Sequence, residues 1–215
     1  MKIGIIGATG KAGREIHALA AERGHRPTAI VRSQQRADEI LGAGADVAVR
    51  DALTLTAADL APYDVVVDAV GAAPADARLH VDLARLLVRE AATLGDDAPR
   101  LVFILGAGSL RAGEDGHLFV EDIRKMPGSE AWVSIPEQQL AELEFLRGCS
   151  VEWVGISPSA LFEPGAASTP VLGGDDLLVD ANGVSRTTTG TMAVAVLDEI
   201  ETPAHRNRRF TVGNG

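Results

Sequence analysis

The densest chemical signal in the chain is the run Ile5-Ile6-Gly7-Ala8-Thr9-Gly10-Lys11-Ala12-Gly13. A short apolar segment passes through glycines at 7, 10 and 13 into a helical pattern. The first glycine permits a tight turn, the second lets the backbone approach a pyrophosphate, and the third lets the helix pack closely on the strand. Free N–H groups at the start of that helix favour an anion. Thr9 adds a hydroxyl and Lys11 a charge. The Gly-Lys-Ser/Thr of the ATPase phosphate loop is absent, so Gly7, Thr9, Gly10, Lys11, Ala12 and Gly13 read as a dinucleotide turn.

The end of the next strand selects among dinucleotides. An acidic residue there would take the ribose 2′-hydroxyl of NAD, but this chain carries Arg32-Ser33, with Arg36 one turn further. A guanidinium and a hydroxyl suit a 2′-phosphate, so the expected cofactor is NADP, with NADPH preferred over NADH. The plainer reading is a surface arginine beside a helix cap. Asp51 would accept from the adenine amine or cap a turn. Ala69-Val70-Gly71 should lie beside the adenine ribose or the pyrophosphate.

Acceptor chemistry is less sharply written. Gly113–Pro127 falls where a substrate lid would lie, and His117 within it could donate a proton or bind an anionic acceptor. Arg111 and Arg124 could attract carboxylates or phosphates. Phe119 and Trp132 offer stacking faces for a planar molecule. Phe162 and Glu163, before Pro164-Gly165, could shape a pocket. Each also has an ordinary structural role open to it: a solvated histidine, a surface arginine, a packed aromatic, a rigid corner.

These residues need a frame that gathers strand ends. Lys2–Ile6, Pro27–Val31, Asp46–Arg50, Asp64–Ala69, Arg100–Leu105 and Val151–Ile156 read as strands. Helical spacing over Lys11–Arg23, Ser33–Leu41, Leu55–Leu60, Ala75–Leu94 and Pro136–Arg147 alternates with them. Strands joined by crossing helices predict an α/β fold, a doubly wound Rossmann-like parallel sheet. Past Ser157 the rhythm breaks at Pro158, Pro164, Gly165 and Pro170. Short strands at Leu177–Asp180 and Ser185–Thr187 are expected around Asn182-Gly183, then a helix over Thr191–Glu201 and a strand at Arg209–Val212. The expected organisation is one domain over 1–215, with a small C-terminal cap from about 157 to 190.

Thirty acidic against twenty basic residues give a formal charge of −10, which argues against direct nucleic-acid binding. Arg206, Arg208 and Arg209 form one basic patch, with Asp198, Glu199 and Glu201 near enough to pair with it. Cys149 is the single cysteine and reads as a small buried hydrophobe. The five histidines are scattered, and Asp175, Asp176 and Asp180 lack calcium-loop spacing, so no metal is expected. MKIGII is too short for a signal peptide and no apolar window spans a bilayer. The expectation is a cytoplasmic protein without membrane contact, monomer or homodimer.

On Gly7-Ala8-Thr9-Gly10-Lys11-Ala12-Gly13 the chain resembles the NAD(P)H-binding atypical short-chain dehydrogenases, which include flavin and biliverdin reductases and NmrA-like regulators. It is most similar to a bacterial subfamily of small reductases, on Gly106-Ala107-Gly108-Ser109-Leu110, Ser157-Pro158, Phe162-Glu163-Pro164-Gly165, Ser185-Arg186 and the tail Asp198–His205. The resemblance places Ser109 at the catalytic serine of the wider superfamily and Ser157-Pro158 where relatives pass the nicotinamide. The superfamily's Tyr-x-x-x-Lys pair is missing: residues 132–147 hold neither tyrosine nor lysine. A tyrosine general acid is thereby disfavoured, and hydride donation to a flavin, quinone or tetrapyrrole, which asks less of the protein, is favoured. The expected function is an NADPH-dependent oxidoreductase passing hydride to such a small planar acceptor, with water, Ser109 or His117 supplying the proton. The alternative is a non-catalytic NAD(P)-sensing regulator of the NmrA-like type. A nucleotide-sugar epimerase is a weaker third reading.

Overall fold

The computed structural model describes residues 1–215. Its first half alternates as the apolar runs require: β1 (Lys2–Ile6), α1 (Gly13–Glu22), β2 (Arg26–Val31), α2 (Gln34–Leu41), β3 (Asp46–Val49), α3 (Ala57–Leu60), β4 (Val65–Asp68), α4 (Leu79–Leu94) and β5 (Arg100–Ile104). A short ribbon follows, β6 (Arg111–Ala112) and β7 (His117–Leu118), and then α5 (Phe119–Lys125), α6 (Ser134–Arg147) and β8 (Trp153–Pro158). The chain ends with β9 (Leu161–Glu163), β10 (Pro170–Gly173), β11 (Arg186–Thr188), α7 (Thr189–Glu201) and β12 (Arg208–Asn214).

Eight strands form one sheet in the order β10-β12-β8-β5-β4-β1-β2-β3. Every neighbouring pair is parallel except β10 with β12. Strand alternation splits the apolar residues between two faces. Ile3, Ile5, Val65, Val67, Val102 and Val154 pack against Ile16 of α1 and Val196 of α7. Ile6, Val66, Leu101, Phe103 and Trp153 pack against Leu83 and Leu87 of α4 and Leu143 of α6. This is the expected doubly wound Rossmann-like architecture. Strand order reverses at β1, between β2 and β4, and such a switch point opens a crevice at the carboxyl ends of the strands. The glycine turn leaves β1 at that crevice.

Several expected boundaries move. The helix after β1 begins at Gly13 rather than Lys11, because the turn itself occupies residues 7–12. Before α4 comes a 3-10 turn over Pro74–Asp76, where Pro74 suits the first helical position. Leu177–Asp180 is not a strand. Asp180 Oδ1 instead accepts from the amides of Asn182 and Val184, both at 2.8 Å, and Gly183 turns the chain at φ +79°. The side-chain cap on that turn replaces the ladder expected on both sides of it. Arg186–Thr188 does form a strand, but it pairs in parallel with β9.

Candidate nucleotide crevice

At the glycine turn the three glycines have three distinct geometric demands. Gly7 has φ +76°, and a Cβ on it would stand 2.8 Å from the Ala69 carbonyl oxygen and 3.0 Å from Val70 Cα. A Cβ on Gly13 would lie 2.3 Å from the Gly7 carbonyl oxygen. Gly10 is looser, with the Gly7 oxygen at 3.1 Å and the Ala69 oxygen at 3.8 Å. Gly7 and Gly13 therefore bring three pieces of backbone together, while Gly10 keeps their mouth open. Replacing Gly13 by alanine forces backbone apart; it should cost about 3 kcal/mol, read as a lower urea midpoint with an unchanged slope.

No side chain caps α1 at Ala12. The amides of Thr9, Lys11, Ala12 and Gly13 donate to no protein acceptor. An uncapped first turn of a ten-residue helix, edged by glycine, fits the pyrophosphate of a dinucleotide. Lys11 does not point at this mouth. Its Nζ donates to the Phe162 carbonyl at 2.9 Å and lies 4.5 Å from the Phe162 ring centre. Partial burial pulls its pKa below the ordinary lysine value. The lysine thus ties the glycine turn to β9 across the crevice.

At the carboxyl end of β2, Arg32 and Arg36 are exposed and make no ion pair, so both guanidinia are available to an anion. Ser33 caps α2, its Oγ accepting from the Arg36 amide at 3.3 Å. Asp51 takes the turn-capping role, with Oδ1 accepting from the Leu53 amide at 2.9 Å. Ala69 is buried, Val70 half-buried and Gly71 exposed, and a Cβ at Gly71 would meet nothing within 4 Å. Gly7, Gly10, Ala69, Val70 and Gly71 share one corner; Arg32 and Asp51 stand beyond it on the β2 and β3 side.

The substrate-side residues are arranged differently from the expectation. Ser109 is buried, with Oγ 3.4 Å from the Gly106 carbonyl and accepting from Arg209 Nη1 at 3.2 Å. Ser157 is also buried: its Oγ donates to the same Gly106 carbonyl at 3.0 Å and accepts from Arg209 Nη1 at 3.1 Å. Both hydroxyls thus face a guanidinium inside the protein. Pro158, also buried, follows on the last residue of β8. Arg209 reaches on to Asp175, its Nε donating to Oδ1 at 2.9 Å. Arg206 and Arg209 are paired, as expected of the basic patch at 206–209, but with Glu152 and Asp175 rather than with Asp198, Glu199 or Glu201. Arg209 points into the protein because β12 is an interior strand. Asp198 and Glu201 are held by Arg23, and Glu199 by Arg100.

His117 is clamped between two carboxylates, Asp115 on Nδ1 at 2.5 Å and Asp122 on Nε2 at 2.7 Å. Hydrogen bonding to Asp115 first, and to Asp122 second, raises its pKa above the ordinary histidine value. Arg111 and Arg124 are engaged with Asp176 and Glu137. Phe119 is half-buried, and Trp132 is 39% exposed.

Sequence reasoning passed over a buried set beneath the corner: Asp68 at the end of β4, His80 on α4 and Glu142 on α6. Asp68 Oδ1 accepts from the Val70 amide at 3.0 Å. Burial drives the Asp68 pKa up to about 7 against the opposing pull of that amide. Burial, and then the Asp68 charge, raise Glu142 well above the carboxylate range. A signal for Glu142 was available, since it stands four residues before buried Leu146 and so shares its helical face.

The chain is similar to known proteins over its whole length. Residues 7–200 match the family described as NAD(P)H-binding. The uncharacterised protein YwnB of Bacillus subtilis is 41% identical over 219 residues, 99% of this chain and 98% of that one. A Lactobacillus casei structure is 40% identical with a TM-score of 0.91, covering 100% of both chains. A Streptococcus pneumoniae protein, provisionally named an NADH-flavin reductase, is 28% identical with a TM-score of 0.87 over 100% of both chains.

Proposed function

The chain belongs to the NAD(P)H-binding family, and on that premise we propose that it is an NADPH-dependent reductase delivering hydride to a small planar acceptor of the flavin or quinone class. The observation that carries this reading is the uncapped start of α1 at the mouth of Gly7, Gly10 and Gly71, with the unpaired Arg32 and Arg36 beyond it. The amides of Lys11, Ala12 and Gly13 would hold the pyrophosphate, and Arg32 with Arg36 the 2′-phosphate. When bound, the nicotinamide supplies the hydride. This chain's part is to orient the ring at the ends of β5 and β8 and to exclude water there. Ser109 and Ser157 serve that placement through Arg209, and the proton accompanying the hydride reaches the reduced acceptor from solvent once it leaves the water-excluded pocket. The flavin class is favoured by the name of the Streptococcus pneumoniae protein and by the missing Tyr-x-x-x-Lys.

The same reading takes 1–215 as a single domain capped by 157–190, and the protein as cytoplasmic, a monomer or homodimer without nucleic-acid or membrane partners. No helix is long and apolar enough to cross a membrane.

Calorimetric titration with NADPH and NADH tests the cofactor. NADPH is expected to bind at least tenfold tighter, about 1.4 kcal/mol, and Arg32→Ala to remove most of that margin. Equal affinities would overturn the assignment of Arg32. Oxidation of bound NADPH by added flavin or quinone then separates a reductase from a nucleotide-sensing regulator. Binding without turnover supports the regulator, a reading favoured by the closed hydrogen bonding of Ser109 and His117.

A further inference from the structure

Three ionisable groups are shut between the sheet and two helices, and nothing in the proposed hydride transfer uses them. Asp68 is 5% exposed, His80 4% and Glu142 1%. Glu142 Oε2 and His80 Nε2 are buried without a hydrogen-bond partner, and His80 Nδ1 stands 4.0 Å from Glu142 Oε2. Buried orphans of this kind are uncommon in folded proteins and ask for a reason. No lysine or arginine pairs with either carboxyl. Beside Asp68, β1 and β5 present Ile6 and Phe103. The charged side chains of those strands, Lys2 and Arg100, begin them at the opposite end of the sheet. The groups facing Asp68 are thus Glu142 from α6 and, behind it, His80 from α4.

The cluster is joined to the crevice by one hydrogen bond. Asp68 Oδ1 holds the Val70 amide, and the Ala69–Val70 backbone lies against Gly7 with no room for a Cβ. A carboxyl that changes charge here does so directly under the corner where a dinucleotide would place its anionic pyrophosphate.

We propose that Asp68 and Glu142, with His80 behind them, form a buried proton-holding pair that positions the Ala69–Gly71 corner, so that dinucleotide binding draws a proton into the pair. The coupling rests on the dinucleotide reading above; the protonation of the pair does not. The sign follows from charge. With Asp68 and Glu142 neutral the corner faces the pyrophosphate without repulsion, whereas each carboxylate formed there opposes it. Two buried carboxyls, one of which raises the other, release their protons as a pair, in linked steps. Affinity is therefore highest below neutrality and falls as pH rises through the range where the pair ionises. The bound anion raises the same ionisations in return, which is the proton uptake.

The probe is NADH, which has no 2′-phosphate to titrate in this range. Its Kd is measured by calorimetry from pH 6 to 8.5, in buffers of different ionisation enthalpy. The expected result is net proton uptake on binding and a Kd weakened about tenfold across the range. Asp68→Asn keeps an oxygen for the Val70 amide and loses the charge, so its Kd should be flat with pH. Glu142→Gln removes the later of the two ionisations and leaves Asp68 held by burial, so the fall in affinity should keep its midpoint and lose only its high-pH continuation. Infrared difference spectra of the free protein supply a second readout: a protonated-carboxyl stretch at pH 7 that Asp68→Asn and Glu142→Gln each diminish. A wild-type Kd that is flat with pH, or an Asp68→Asn variant that keeps the full slope, overturns the coupling. Absence of the infrared band overturns the pair itself. Failure of NADH and NADPH to bind at any pH overturns the dinucleotide reading and the coupling together, and the band still reports on the pair separately.

Discussion

Gly10→Val is expected to abolish measurable nucleotide binding while leaving the fold standing. Gly10 lacks the left-handed backbone of Gly7, so an L side chain meets no conformational penalty there. A Cβ would need the Gly7 carbonyl to yield by only a few tenths of an ångström from 3.1 Å. The branched methyls of valine would then fill the mouth through which the amides of Lys11, Ala12 and Gly13 meet an anion. Loss of that approach should weaken binding by at least a hundredfold, about 2.7 kcal/mol. The melting temperature should move by only a few degrees. A variant that binds NADPH like the parent would remove the glycine turn from the site altogether. One that unfolds would show that the mouth is part of the core. Gly13→Ala makes the contrast, since its expected damage is to stability first.

Arg209→Met is the second large expectation, and here the loss is of stability. The Arg209 side chain is 1% exposed and joins Ser109, Ser157 and Asp175, from three separate parts of the chain. Methionine fills part of the volume but leaves two buried hydroxyls without their donor and Asp175 without its charge partner. Each unsatisfied buried group costs roughly 1–3 kcal/mol, so a total of about 4 kcal/mol is expected from urea unfolding. Asp175 is itself 44% exposed, so water takes over part of its loss. Asp175→Asn should accordingly cost no more than about 1.5 kcal/mol. If Arg209→Met and Asp175→Asn cost the same, the weight lies on the ion pair and not on the serines.

The sheet was largely legible because its strands are buried on both faces and therefore read as unbroken apolar runs: Ile3 to Ile6, Val65 to Val67, Leu101 to Phe103. Ser33 and Gly42 bound α2 where their side-chain chemistry places them, a hydroxyl cap and a glycine at φ +91°. The glycine turn was legible for the same local reason. Apart from the short strand at Arg186–Thr188, residues 158–190 were not, because their order comes from distant partners. Ser159 donates its amide to the Thr187 hydroxyl, and Thr188 donates its amide to Asn214 Oδ1. Pro170–Gly173 becomes a strand only because β12 offers it an edge. Arg209 could be placed on a strand from its neighbours Phe210 and Val212, yet which face it would take, and that two serines waited there, depended on the insertion of β12 beside β8. Asp68 and Glu142 read as an ordinary strand end and an ordinary helix residue until α6 is laid across β4.

That insertion bears on how the chain is made. Strand β12 sits between β8 and β10, both translated before it. While residues 159–207 are leaving the ribosome, β8 has β5 on one side and an open hydrogen-bonding edge on the other, in a strand that is buried throughout once folding is complete. An unpaired apolar edge is a template for any passing strand. The nascent chain is thus at its most vulnerable late in synthesis, with six of its strands, β3 to β8 by way of β1, already able to pair. Holding factors that shield an extended apolar segment have the most to protect in that interval, and slow translation through the cap would lengthen it.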